Sequence, residues 1–559
     1  MTLEARLGDP WAAGNPVGFA AVVRADERGR LLAEGERLLD DYGLNRDFVP
    51  RDLGGRLGDV SRMARSLRPV FRRDTSLGLG YGVTSFMAAV NVWAAGDDAQ
   101  RRWLAGLLCR GGRAAVCFHE LAHGNDLANQ EFEAVRRDGG LALRGRKEVI
   151  NNADRAGALV VFARTDPRRG GRSHSLLLLD PATLPPGRVH RLPRFGSAGM
   201  RGCRLGGLRF DDCPVPAEAV VGGEGDGMET ALRAFQVTRA VLPAMAIGTL
   251  DTQIRVTARF ALARRLYGAP VTDIPHVRSV LAGAFADALV GDCLSTVASR
   301  ALHLLPREAS VYSAAAKYLV PKLLLDAADR LALVLGARSY VREGEYAVFQ
   351  KNLRDLPLLS LGHAGPANCQ ATIISQLGAL AHRSWPSGDD EAPASLFQSG
   401  RELPALRYED LGLSARGRDP LSASLVAGSA AVGEDNAAVR GLAAALVAEL
   451  GALKTRVLEL PPRDRTPAGR RVAFTLAARY ALVLAGSACL NVWLHGEHRQ
   501  DRFNGDDTWV VAALHRVAER LGIRSGPLPP YAADRLCAEV IARCTDPHSL
   551  DLDNVPLSG

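Results

Sequence analysis

The chain has 559 residues, which is too long for one hydrophobic core and predicts two to four domains. Hydrophobic residues make up 47% and charged residues 23% of it, a balance that excludes extensive disorder. The formal net charge of +8 is spread along the sequence, so we expect no nucleic-acid-binding patch, although a mild positive excess suits an anionic partner.

Residues 1–19 contain no basic segment followed by an apolar run, so we expect no signal peptide and a cytoplasmic location. Nine cysteines without a C-x-x-C pair indicate reduced thiols and no metal site. The apolar segment 474–494 is about long enough to cross a bilayer. Because Arg479 and Asn491 lie inside it, we predict a buried bundle helix and no membrane association.

The periodicity of apolar residues changes twice along the chain. Residues 20–115 show helical spacing, short β-rich runs separated by Gly and Pro turns follow, and helical spacing returns at Met228. The pattern predicts an α+β, mainly α protein, with an antiparallel β-barrel between helical domains and a disordered tail from Asp546. The predicted domains are an N-terminal helical domain (1–115), a β-barrel domain (116–227), a four-helix bundle (228–383), a linker or covering loop (384–417) and an additional C-terminal helical bundle (418–559).

Three sequence blocks give a more specific indication. G-M-R-G-C at 199–203 runs on to F-D-D-C-P-V-P at 210–216, H-E-L-A-H-G-N-D occupies 119–126, and R-x-x-Y-G-x-P-V occupies 264–271. In this order and at these separations the blocks resemble the flavin-dependent acyl-CoA dehydrogenase and acyl-CoA oxidase superfamily. The extension beyond residue 390 is similar to that of the longer, oxidase-like members.

The resemblance implies FAD as cofactor and an acyl thioester on coenzyme A or an acyl carrier protein as substrate. It also implies a homodimer, because the family arginine that matches Arg264 meets the FAD of a neighbouring subunit. His119 stands where the family has a threonine that contacts the flavin, although a structural histidine is an equal alternative. Asn151 stands where the family has a second threonine near the flavin. The residues that the resemblance assigns to cofactor binding are Phe118, His119, Gly124, Asn125, Asn151, Arg264, Tyr267 and Gly336.

The catalytic base is the weakest match to the family pattern. The sequence lacks both family glutamates: Thr238-Arg239 replaces an E-R pair, and counting from Arg354-Asp355 places His363 where the other glutamate stands. A histidine can act as a base near neutral pH, so His363 is the candidate base, with a structural or solvated histidine as the alternative.

The resemblance therefore implies an FAD-dependent oxidoreductase that oxidises the Cα–Cβ bond of an acyl thioester. The long extension, together with Val149 in place of a flavin-packing tryptophan, points to specialised metabolism. A non-catalytic homologue that binds an acyl thioester or carrier protein is the alternative, because both glutamates are absent. Flavin-dependent oxygenation of a tethered substrate is a further alternative.

Overall fold

The structure is a computed structural model that describes residues 2–124, 126–362, 364–496 and 501–559. Two predicted site residues, Asn125 and His363, lie outside the described residues.

Helices and a mixed sheet make up the first half of the chain. The N-terminal helices are α1 Leu3–Leu7, α2 Phe19–Glu27, α3 Ala33–Tyr42, α4 Val60–Ser66, α5 Arg68–Arg73, α6 Thr75–Leu77, α7 Thr84–Ala95 and α8 Asp98–Cys109. The strands of the sheet are β1 Ala114–Cys117, β2 Glu133–Arg137, β3 Gly140–Asn151, β4 Ala158–Arg164, β5 His174–Leu179, β6 Val189–Leu192, β7 Leu205–Pro216 and β8 Val220–Val221.

The second half is helical apart from the short hairpin β9 Arg265–Leu266 and β10 Ala269–Pro270. Its first helices are α9 Gly227–Ala263, α10 Pro275–Leu304, α11 Ala309–Leu335, α12 Val348–Leu361 and α13 Pro366–Arg383. The extension contributes α14 Pro420–Ala431, α15 Ala437–Glu459, α16 Arg471–His495, α17 Thr508–Leu521 and α18 Pro530–Thr545.

The sheet is open, so the predicted β-barrel is wrong. Its strand order is β6-β7-β3-β2-β4-β5-β8, with β1 paired to β4 beside this path. Among the described residues β6 pairs only with β7 and β8 only with β5, and the β1–β4 pair is parallel. Alternation and turn spacing report which faces of a strand are buried, but not whether the first and last strands pair.

Part of the sheet is buried on both faces. In β4, Val160 and Phe162 pack with the N-terminal helices, whereas Leu159 and Val161 point into a separate core on the other face. This packing explains the unbroken apolar run of β4, since a strand covered on both sides has no polar face. It also fixes β1 and β3 against α7, and the candidate site lies at that junction.

Several helices of the second half are apolar on all sides because they are core helices. Among the residues that the structure describes, four helices are long and apolar enough to cross a membrane by length and composition alone: Thr75–Ala95, Pro275–Leu304, Glu434–Glu459 and Arg471–His495. Within the protein, 94% of the apolar window of α10 and 72% of that of α16 are buried. The segment 474–494 therefore lies mainly inside a helical core, as its internal Arg479 and Asn491 predicted.

The extension packs directly on the preceding helices. Helices α16, α17 and α18 all contact α10, and their apolar residues belong to one core shared with α9, α10 and α11. Trp385 and Phe397, in the segment predicted as a linker or covering loop, are buried against this core.

The tail beyond Asp546 is ordered, contrary to the sequence prediction. Leu550 and Leu552 are buried, and the Asp551 carboxylate lies 2.9 Å from the guanidinium of Arg68 on α5. The prediction failed because the tail is ordered by buried ionic contacts with distant helices, which local composition does not report.

Candidate active site

One cavity of about 310 Å³ lies where the sheet, the N-terminal helices and the second helical set meet. Its walls come from α7, from β1 and the loop after it, from the end of β3, from α9, and from the α12–α13 connection. Most of the lining is apolar, and the polar side chains on it are few. Enclosed apolar sites with a small number of polar groups are typical of cofactor and small-molecule sites.

The sheet wall of the cavity is built by an irregularity in β3. The pairing of β3 with β7 shifts register between Glu148 and Ile150, and Val149 at this bulge has a φ of 57°. A β-branched residue rarely adopts this left-handed conformation, and such strain is frequent next to functional sites. The bulge places Val149, Ile150 and Asn151 in succession on the cavity lining.

Asn151 fastens this wall to the N-terminal helices. Its amide nitrogen donates to the Gly80 carbonyl at 3.1 Å and to Thr84 Oγ1 at 2.7 Å, and its carbonyl accepts the Arg204 N–H at 3.0 Å. The Gly80 carbonyl belongs to a π-helical turn, Gly78–Val83. Both amide hydrogens of Asn151 are thus used within the protein, so its predicted flavin contact would require one of these bonds to be exchanged.

The loop after β1 supplies a second wall. Phe118 is buried against Phe162 and Phe235, with ring centres 5.5 and 5.9 Å apart. The His119 ring is held by a 3.1 Å hydrogen bond between Nδ1 and the Glu148 carbonyl. Phe118, His119 and Gly124 all line the cavity, and their contact with a flavin stays a prediction.

The α12–α13 connection closes the cavity from the helical side. Gly362 and Ala364, which flank His363, both line the cavity, and Ala364 has a φ of 82°. Asn368 on the first turn of α13 adds a polar side chain to the same wall. The segment identified from the Arg354-Asp355 count therefore reaches the site, while the role of His363 stays a prediction.

Two buried cations beside this connection were missed by the sequence reasoning. The Lys317 ammonium donates to the Leu359 carbonyl and, at 3.0 Å, to the Gly362 carbonyl. Arg239 on α9 is 4% exposed and donates to Thr372 Oγ1 at 3.3 Å. A lysine inside the apolar run S-A-A-A-K-Y-L-V was the available signal, because a charge on a buried helix needs a specific partner.

Burial lowers the pKa of Lys317 to about 8, and the neighbouring Cys369 opposes this effect only in part.

Two carboxylates, Glu120 and Glu345, are engaged in ion pairs away from the cavity. Glu120 accepts the Lys147 ammonium at 2.7 Å and the backbone N–H groups of Glu131 and Phe132. Burial alone would raise the pKa of Glu120, but these donors lower it below its ordinary value. Glu345 pairs with Arg259 at the surface. Neither carboxylate lines the cavity.

Three predicted cofactor residues lie away from the cavity. Arg264 and Gly336 are exposed, and Tyr267 is 98% exposed with a φ of 53°. None of the three lines the cavity, so within this chain they are not brought together with Phe118, His119 and Asn151.

Comparison with known proteins gives a family. Residues 115–213 match the family description "Acyl-CoA dehydrogenase, middle domain" and residues 225–377 match "Acyl-CoA dehydrogenase, C-terminal domain". The mitochondrial isovaleryl-CoA dehydrogenase of Oryza sativa subsp. japonica is 26% identical over 247 residues, which cover 44% of this chain and 60% of that protein. The chain thus aligns with about three fifths of the first relatives' length.

Solved structures show that the fold is shared. The acyl-CoA dehydrogenase of Bacillus anthracis complexed with FAD superimposes with a TM-score of 0.69 at 15% identity and covers 94% of this chain and 92% of its own. The prolyl acyl carrier protein oxidase AnaB superimposes with a TM-score of 0.55 at 19% identity, over 63% of this chain and 92% of its own. The first of these overlays includes the C-terminal extension.

The matched family descriptions, the relatives and the solved structures together support the acyl-CoA dehydrogenase superfamily for this chain. FAD is the cofactor of that family.

The cavity fits the ring system of this cofactor. Gly124 lines it with a φ of 45°, and a Cβ at this glycine would meet no atom within 4 Å, so bare backbone faces open space. Val149 and Ile150 present apolar surface on the sheet side. The apolar lining suits the faces of a flat ring system and its few polar groups suit the polar edge, with Phe118, Gly124, Val149 and Asn151 as the residues that would hold it.

Proposed function

We propose that this protein is an FAD-dependent oxidoreductase that oxidises the Cα–Cβ bond of an acyl thioester on coenzyme A or a carrier protein. The observation that carries the proposal is the single cavity in which the flavin-loop residues Phe118 and His119, the bulged end of β3 and the α12–α13 connection face one another. Bound FAD would supply the hydride acceptor.

The chain's own residues would perform binding, water exclusion and proton transfer. The apolar walls from Phe118, Val149 and Leu358 would exclude water from the acyl group, which strengthens every polar interaction inside. In this proposal His363 removes the α-proton, since the described carboxylates Glu120 and Glu345 are held in ion pairs.

A carrier-bound substrate and a role in specialised metabolism are part of the proposal. The resemblance in fold to a prolyl acyl carrier protein oxidase supports a carrier arm, and the absent glutamates argue against ordinary fatty-acid β-oxidation. We also propose that the protein is cytoplasmic.

We also propose a homodimer. Exposed apolar side chains gather at the C-terminal end of α9 and after α11, where Phe260 and Tyr346 rings lie 5.4 Å apart. Tyr267 is 98% and Tyr340 86% exposed there, an arrangement typical of interaction surfaces. Replacing both tyrosines by glutamate should convert a dimer to monomers in sedimentation experiments, and a wild type that sediments as a monomer would contradict the proposal.

The test of function starts with the absorption spectrum of the purified protein. We expect a flavin spectrum that bleaches under anaerobic titration with one member of a panel of acyl thioesters. His363→Ala should keep the bound flavin and lose the bleaching, whereas His276→Ala, at an exposed position on α10, should bleach as wild type does.

Each alternative predicts a different result. A colourless protein that takes up no FAD would leave the thioester-binding homologue as the better explanation. A flavoprotein that consumes oxygen with a tethered substrate, without forming an α,β-unsaturated product, would favour the oxygenation alternative.

A further inference from the structure

Two buried cations beside the cavity, Arg239 and Lys317, lead to an inference about the charge of the substrate. This inference rests on the proposed function. Arg239 lies on the same face of α9 as Phe235 and Leu242, which line the cavity. Its guanidinium carbon is 5.6 Å from the centre of the Phe235 ring. Arg239 is not itself part of the cavity lining; it lies beside Phe235, with its guanidinium directed toward Thr372 on α13.

Arg239 is poorly compensated. Its hydrogen bond within the described residues is the 3.3 Å contact with Thr372 Oγ1, and its Nε is buried without a partner. No described carboxylate forms an ion pair with it. A buried guanidinium has five donors to satisfy and a charge to neutralise, so one neutral hydroxyl leaves most of that requirement unmet.

Three other buried arginines, Arg68, Arg73 and Arg516, have carboxylate partners or several carbonyl acceptors. Arg68 pairs with Asp292 and Asp551, and Arg516 pairs with Asp287. Arg73 has no such ion pair, but it donates to three backbone carbonyls. Arg239 has fewer acceptors than these three arginines, and unlike Arg543, which also has a buried nitrogen without a partner, it forms no ion pair with a described carboxylate.

A second buried cation, Lys317, adds to the uncompensated positive charge of Arg239. Lys317 lies close enough to Arg239 for the arginine charge to add to the effect of burial on the lysine, which has a pKa of about 8. Its ammonium is accounted for structurally, because it caps carbonyls at the end of α12. The local field is nevertheless positive, with no described negative charge to balance it.

We infer that the acyl group of the substrate carries a carboxylate, which binds Arg239 at the helical wall while the thioester lies toward the bulged end of β3. An anionic group would neutralise the guanidinium and satisfy its unpaired donors in a bidentate contact. The phosphate of a coenzyme A or carrier arm offers related chemistry, so the experiment separates the two sources.

The experiment compares matched thioesters on the flavin-loaded protein. Succinyl and glutaryl thioesters are paired with their terminal amides, which have the same shape without the charge. Each acyl group is attached both to coenzyme A and to N-acetylcysteamine, which has no phosphate. Binding is measured by calorimetry, and by the change in flavin absorbance.

We expect the wild type to bind the acids at least about tenfold more tightly than the amides on both carriers, the scale of one charge-assisted hydrogen bond. Arg239→Gln should remove this preference, with little change in affinity for the amides. Arg278→Gln, which breaks the surface pair with Asp534, should keep it.

Equal affinity of the wild type for acids and amides would overturn the inference, and this comparison stands even if Arg239→Gln fails to fold. If Arg239→Gln weakens the binding of the coenzyme A thioesters alone, the inference is also overturned, because the arginine then binds a phosphate of coenzyme A. If neutral thioesters bleach the flavin but the protein does not bind the acids more tightly than the amides, the proposed function stands and the inference about the carboxylate is wrong. If no thioester binds, both fall together.

Discussion

At the residue scale, the turn that contains Gly199 shows why a glycine is required at one position. A Cβ added to Gly199 would lie 1.8 Å from the Arg354 carbonyl oxygen, which is a steric overlap with backbone. The next residue, Met200, donates its N–H to the Asp355 carboxylate. The turn after β6 is therefore pressed directly onto α12, and the two sequence blocks G-M-R-G and R-D form one contact.

We predict that Gly199→Ala destabilises the protein by about 2 to 3 kcal/mol, since the turn and α12 must separate to admit the methyl group. Gly196→Ala is the matched control, because a Cβ there would meet no atom within 4 Å. Urea unfolding followed by circular dichroism measures both free energies. Equal stability of the two variants would contradict the close approach.

The buried lysine at the site predicts a dependence of stability on alkaline pH. The pKa of Lys317 falls from 10.5 to about 8 on burial, so between these values the unfolded chain binds the proton and the folded chain does not. Stability gains up to about 1.4 kcal/mol per pH unit from this group as pH rises through that window, and loses it as pH falls toward 8.

Lys317→Met should remove this contribution and flatten the rise in unfolding free energy between about pH 8 and 10.5. Lys322→Met, an exposed lysine on the same helix, should leave the pH profile as in wild type. Urea titrations at half-unit pH steps would measure the difference. If the unfolding free energy of the wild type does not rise between about pH 8 and 10.5, or if Lys317→Met does not reduce that rise, Lys317 is not neutral in the folded protein.

At the scale of elements, one buried carboxylate joins the extension to the preceding helices. Asp419 accepts hydrogen bonds from Tyr312 Oη on α11 at 3.1 Å, from Trp385 Nε1 at 2.6 Å and from Tyr480 Oη on α16 at 2.6 Å. It also caps α14 by accepting the Ser422 N–H at 3.2 Å. Four separate segments thus converge on one side chain.

We expect Asp419→Ala to destabilise the protein by about 3 kcal/mol or more, because it leaves buried hydroxyl and indole donors unpaired and removes a helix cap. Asp435→Ala, at an exposed position before α15, should change stability by less than about 0.5 kcal/mol. Thermal unfolding of both variants distinguishes them. A normal unfolding temperature for Asp419→Ala would show that the hydrophobic contacts suffice to hold the extension.

At the scale of the whole molecule, the two ends of the chain meet in a buried ionic network. Arg68 on α5 contacts Asp292 on α10 and Asp551 in the tail, and Arg72 contacts Glu4 and the α9 carboxylate Asp251. Burial opposes ionisation of Asp551, but the arginines hold its pKa below the ordinary value.

Asp551→Asn should cost about 3 to 5 kcal/mol at pH 7, since it leaves a buried arginine partly uncompensated. The difference from wild type should shrink as pH falls below about 4, because there the unfolded carboxyl binds a proton that the folded carboxyl, with its lowered pKa, does not bind. Asp546→Asn, whose side chain is 87% exposed, is the control. A constant difference down to acid pH would contradict an ionised Asp551.

The sequence by itself indicated the class of the protein and several residues that share one cavity. Blocks at 117–127, 199–216 and 264–271 indicated the family that the comparisons confirm, because glycine turns and polar ligand contacts depend on local residue identity. The first block contains Phe118, His119 and Gly124, and the structure brings these to one cavity with Asn151, which the resemblance assigned separately.

Only the tertiary structure decided the rest. Whether the sheet closes depends on the pairing of strands distant in sequence, and local alternation is the same in open and closed sheets. The order of the tail depends on Arg68, nearly 500 residues earlier. The buried charges of Arg239 and Lys317 became visible only when α9, α11 and α12 were packed together, since burial is a property of the neighbours that a residue acquires on folding.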